Sequence, residues 1–168
     1  MRIMALSGQL DGVFSRIALR SLDKTSVCFP KILENLRNTV LLWPRNPDDS
    51  ALKMARIISN GLGDNLACVV SFMSDSPLEA PKRMVINKDS IGFFGYPKRS
   101  AAVEIGEYTA SIDLSRKFDL PLSVLPVWAN IPLRIGRDDT RKQMYNVIFQ
   151  GESGMEINTL LQTVSNYG

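Results

Sequence analysis

The stretch Ile112-Asp113-Leu114-Ser115-Arg116-Lys117-Phe118-Asp119-Leu120-Pro121, continued through 122–130 into Ile131-Pro132-Leu133-Arg134-Ile135-Gly136-Arg137, decides the fold. A β-rich run ends in an acidic residue, a polar turn follows, then an apolar segment of helical length, then a short strand that leaves through Arg134-Ile135-Gly136. Strand, turn, helix and strand in that order make one step of a wound α/β layer, since parallel neighbours must be joined by a crossover.

Working outward, the same alternation continues on both sides. Phe29 to Arg37 is a short amphipathic helix with Ile32, Leu33 and Leu36 on one face, and it leads into Thr39-Val40-Leu41-Leu42-Trp43, the first central strand. A run this apolar is typical of a strand covered on both faces. Pro44 to Pro47 force a turn, a helix follows from about Ser50 to Asn60, and Gly61 and Gly63 end it. Leu66 to Phe72 is the second strand and Met84 to Ile86 a short third, with Ile91 to Phe94 a further extended piece. Arg99 to Glu107 is a helix, Thr109 to Leu114 a strand, Leu122 to Ala129 a helix, Leu133 to Ile135 a strand, and Asn146 to Phe149 the last strand. After Gly151 to Gly154, Met155 to Tyr167 places Ile157, Leu160, Leu161 and Val164 on one helical face. The pattern predicts a Rossmann-like α/β domain over 29–168, with a mostly parallel sheet and helices on both faces, preceded by an N-terminal helical arm over 1–28.

Composition narrows the chemistry. The 168 residues are 45% hydrophobic and 22% charged, which suits one globular domain. A net charge of +3 is too small and dispersed to call for nucleic acid. With no histidine, Ser-His-Asp and Cys-His catalysis and every His-ligated metal site are excluded. Cys28 and Cys68 form no CxxC pair, so the reading is two buried thiols, no metal and a reducing compartment. Pro126, Asn130 and Pro132 break the most apolar stretch, so no membrane span is expected, and Asp11, Arg16 and Arg20 interrupt any signal peptide. The expected location is cytoplasmic. Nothing in the sequence calls for a cofactor.

In open α/β sheets ligands bind at the carboxyl ends of the strands, which directs attention to the turns 44–50, 71–77 and 115–121. In the first, Asp48, Asp49 and Ser50 are candidates to cap the following helix, accepting backbone N–H bonds and complementing its dipole. Arg45 at the same mouth either orients a phosphate or carboxylate or is simply solvated. Asp113 and Asp119 bracket the later turn, Asp119 as a candidate cap for a helix beginning near Pro121. Arg134 is expected to pair with a nearby carboxylate, and Gly136 to relieve steric restriction as the chain leaves its strand. Trp43 and Trp128 read as core or interface aromatics, an exposed Trp at the sheet edge being able to stack on a sugar.

The order of elements, the Asp-Leu and Arg134-Ile135-Gly136 wording, and an aspartate in the first turn resemble the acceptor-side half of the heptosyltransferases, glycosyltransferases of GT-B architecture, over 38–167. The resemblance implies that Asp49 stands where the family's general base acts on the acceptor hydroxyl. The family's preceding glycine is Asp48 here. A GT-B active site lies between two such domains, and this length supplies the acceptor-side half alone, so the resemblance implies a chain not catalytic by itself. It would bind a sugar, a phosphorylated metabolite or a partner protein, with Arg45, Asp48, Ser50 and Asp113 as candidate ligand contacts. Two other readings stand beside it: a small α/β enzyme using Asp48, Asp49 or Asp113, and a structural or protein-interaction module, including a homodimer.

Overall fold

The computed structural model describes residues 36–73, 76–92, 95–137 and 144–149, together with Thr159 and Leu161. The expected arm over 1–28, nearly all of the helix over 29–37, Phe94, the loop 151–154 and most of the helix over 155–167 lie outside the described residues.

Six parallel strands form one sheet in the order β3-β2-β1-β4-β5-β6. They are β1 (Thr39–Leu42), β2 (Leu66–Phe72), β3 (Lys82–Ile86), β4 (Ala110–Asp113), β5 (Leu133–Gly136) and β6 (Val147–Ile148). As the apolar runs require, β1 and β2 are neighbours inside the sheet and their residues are almost wholly buried. Because alternate side chains point to opposite faces, Leu41, Val69 and Ile112 pack on one side with Met54, Ala55 and Ile58 of helix α1 (Asp49–Leu62). Val40, Leu42, Cys68 and Val70 pack on the other side with Ala101 and Ala102 of α2 (Arg99–Glu104), Leu122 of α3 (Leu120–Ser123) and Leu125 of α4 (Leu125–Trp128). Helices therefore cover both faces, which makes this a Rossmann-like α/β domain.

Several expectations change at the level of residues. The expected single helix over 122–129 is two one-turn helices, α3 and α4. Pro126 has no N–H to give to Leu122, so the ladder breaks where α4 begins. Gly61 does not end α1; it lies inside it, where a Cβ would come 2.8 Å from Leu161 Cδ1. Gly63 ends it, at φ +52°. Arg134 does not meet a carboxylate among the described residues. Its buried guanidinium donates to the carbonyls of Met144 (2.9 Å) and Ile131 (2.6 Å), and burial alone lowers its pKa. It braces β5 against the segments on either side. Trp43 is buried, and Trp128 is partly exposed with its ring stacked on Tyr96 at 5.2 Å.

Gly136 is required for a different reason than chain direction. A Cβ there would collide with the ring of Tyr145, which packs directly on the Gly136 backbone. Gly136→Ala is therefore expected to lower the unfolding free energy by about 1–3 kcal/mol, the usual cost of overpacking, measured by urea denaturation; an unchanged midpoint would contradict the close contact.

Candidate functional site

The chain leaves β1 toward α1 on one face of the sheet and leaves β4 toward α3 and α4 on the other. The two exits diverge between the hydrogen-bonded strands β1 and β4, the switch point at which ligands enter such sheets. A cleft of about 880 Å³ lies there, lined by both turns: Pro44, Arg45, Asn46 and Asp48 from the first, and Ser115 to Pro121 from the second. Phe72 and Ile91 add apolar wall. Met73, directly after Phe72, has φ +57°, a strained conformation for such a side chain, at the same end of the sheet.

Beneath the cleft, Asp113 ends β4 with only 1% of its surface exposed. Its carboxyl accepts from the Ser115 N–H (2.8 Å), the Ser123 hydroxyl (2.7 Å) and the Tyr145 hydroxyl (2.8 Å). Burial pushes its pKa up, and the hydrogen bonds from Ser115, Ser123 and Tyr145 offset only part of that push. Asp113 does not line the cleft. It fixes the turn that does.

On the first turn, Asp48 caps α1, its carboxylate accepting from the Ala51 N–H (2.7 Å) and the Ser50 hydroxyl (2.8 Å). Arg137, leaving β5 with its side chain only 5% exposed, reaches Asp48 at 3.3 Å and also donates to Ser50 Oγ. Burial opposes the charged form of Asp48, but Ser50, the Ala51 N–H and Arg137 outweigh it and hold the pKa below the ordinary carboxylate range. That disfavours Asp48 as a base, which works best with a pKa near the operating pH. Asp49 is the first residue of α1, exposed, and not among the residues lining the cleft.

Asp119 occupies the N-cap position of α3 without a side-chain capping bond. Its carboxylate instead meets Arg45 at 3.4 Å, and the Arg45 guanidinium lies 3.9 Å above the Phe72 ring. Burial raises the pKa of Asp119, the Arg45 charge pulls it back, and the Asp113 charge adds to the rise. Arg116 reaches across to Asp48 at 3.6 Å, and Lys117 adds a further exposed cation at the rim.

Of the candidates named from sequence, the structure brings Arg45 and Asp48 to the cleft, places Ser50 behind Asp48 and Asp113 beneath the floor, and leaves Asp49 outside the lining. The sequence reasoning missed Arg137, Tyr145 and Arg116. Arg137 alone carries a usable signal, following Gly136 at the carboxyl end of a strand.

The first turn, Trp43 to Ser50, contains no glycine, and the Asp48 carboxylate holds the Ala51 N–H at the start of α1. A dinucleotide pyrophosphate needs close backbone approach and free N–H groups at that place, so these residues do not fit one. Among the described residues no group of three Cys, Asp or Glu side chains could hold a metal ion, and no helix is long and apolar enough to cross a membrane. Cys68 is a buried free thiol, and Cys28 lies outside the described residues. Comparison with known protein families, curated proteins and solved structures finds no match to this chain.

Two outcomes test the site's framework. Asp113→Ala strands three buried donors, each worth about 1–3 kcal/mol, so a loss of at least about 3 kcal/mol is expected in chemical denaturation. Because the Asp113 pKa is raised on folding, its contribution is present below the ordinary carboxylate range and is lost as pH rises through the folded pKa. Asp113→Asn should therefore gain stability relative to the parent protein as pH rises, and thermal melts showing a constant difference would refute this. Asp48→Ala should cost roughly 2 kcal/mol, the cap and the deserted Arg137 contributing about equally, whereas Asp49→Ala should stay within about 0.5 kcal/mol. Equal costs at the two positions would remove Asp48 from the capping role.

Proposed function

We propose that this chain is a heptosyltransferase-like, acceptor-side domain that binds a small phosphorylated, hydroxyl-rich molecule, a sugar phosphate, in the switch-point cleft. The observation that carries the reading is the pairing of three cations, Arg45, Arg116 and Lys117, with hydrogen-bonding groups at the ligand-binding end of the sheet. Guanidinium groups recognise phosphate by charge-assisted bonds. Asn46 supplies a donor and acceptor for hydroxyls, and the Phe72 and Ile91 walls suit the apolar face of a sugar ring. The Asp-Leu and Arg134-Ile135-Gly136 resemblance supports the same class of ligand. In this reading the domain binds rather than turns over: Asp113 is sealed from substrate and Asp48 is held ionised by its partners. The buried Cys68 thiol supports a reducing, cytoplasmic setting.

Calorimetric titration at low salt with glucose 6-phosphate, glucose and inorganic phosphate tests the proposal. Saturable binding of the sugar phosphate is expected, with free glucose far weaker and Arg45→Ala weakening the sugar phosphate about tenfold, equivalent to about 1.4 kcal/mol. Absence of saturable heat with every phosphate compound would overturn it.

A further inference from the structure

The cations at this cleft are already paired, and the pairs cross. Arg45 on the turn after β1 reaches Asp119 on the turn after β4 at 3.4 Å, while Arg116 on the turn after β4 reaches back to Asp48 on the turn after β1 at 3.6 Å. We propose that these two crossed ion pairs are the resting occupants of an anion site, and that a phosphate monoester dianion enters by exchanging places with both carboxylates. The inference rests on the cleft being the ligand site.

Three features make the exchange feasible. Both pairs are long and their cations are 46% and 62% exposed; the Arg116–Asp48 pair is weak and screened, while Asp119, its side chain only 14% exposed, makes the Arg45 pair the harder of the two to open. Arg45 has a second anchor besides Asp119, because its guanidinium lies 3.9 Å over the Phe72 ring. Asp48 also keeps partners when Arg116 turns away, namely Ala51, Ser50 and Arg137. Exchange therefore leaves no buried charge unpaired at Asp48. The two guanidiniums come from opposite lips of the crevice, so a dianion that bridges them replaces two carboxylates with one ligand and still ties the lips together. A monoanion carries one charge against the two it displaces, so it compensates the two guanidiniums less fully. The site is thereby tuned to the dianionic phosphate of a monoester over a single carboxylate.

The sign of one substitution separates this arrangement from its alternatives. Asp119→Asn keeps the shape of the side chain and removes the competing charge; Asp48→Asn keeps an amide oxygen for the cap. If the carboxylates compete with the ligand, glucose 6-phosphate should bind each variant several-fold more tightly, and the double variant about tenfold more tightly, because the fraction of open site rises. Thermal melts of the three variants verify folding, and Asp119→Asn, which removes a carboxylate that burial disfavours, carries the test if Asp48→Asn melts early. Unchanged or weaker binding, with parent affinity intact, overturns the exchange and leaves the sugar phosphate reading standing. Binding by neither the parent nor the variants overturns both. Binding that appears only in the variants overturns the exchange, because the parent's carboxylates then close the site to the ligand.

Discussion

The turn that forms one wall of the cleft is held in place by the carboxyl of Asp113. It ends β4, and its three donors come from the turn itself, from α3 and from the residue two places before β6. The hub also determines what lies beside it: Asp113 is in register with Gly136 on β5, and the Tyr145 ring that packs on Gly136 carries the hydroxyl that Asp113 accepts. One buried acid thus sets the β4 turn, the position of a ring and the need for a glycine. A carboxyl sealed this completely is stable only with its hydrogen bonds made, which ties three separate segments to one geometry.

Above that hub the carboxylates divide by environment. Asp48 is pulled down by its donors and Arg137, whereas Asp113 and Asp119 are pushed up by burial. Residues of one type therefore do different work at one end of the sheet: one is a fixed anion at a helix start, one a buried acceptor, one an exchangeable partner for Arg45. The division follows from where the fold places them rather than from their identity.

Most of the sheet was legible because its information is local. Continuous apolar runs such as Val40 to Leu42 and Leu66 to Phe72 can hardly be anything but doubly covered strands. The split of α3 from α4 was also written in the sequence, at Pro126, but apolar spacing masked it. The cap was legible only as a choice among Asp48, Asp49 and Ser50: Asp48 and Asp49 are equivalent by composition, and only the extended backbone at Asp48 selects it. The cleft was legible in its location but not in its contacts. Arg45 and Asp119 are 74 positions apart, and Arg137 and Asp48 are 89 apart. Such pairs arise from the strand order, which brings the ends of β1, β4 and β5 together, and no periodicity records them. Arg134 was misread for a related reason: a buried arginine invites a carboxylate, whereas two backbone carbonyls answered it here.

One consequence belongs to the far side of the sheet. Among the described residues β3 pairs only with β2, so its other side offers unpaired backbone groups to any passing strand. Three of its five residues, Lys82, Arg83 and Val85, are exposed, and two of those are cations. A second molecule adding itself there would set its own Lys82 and Arg83 against like charges and strip water from them. The two cations on so short a border thus disfavour fibre-like growth there.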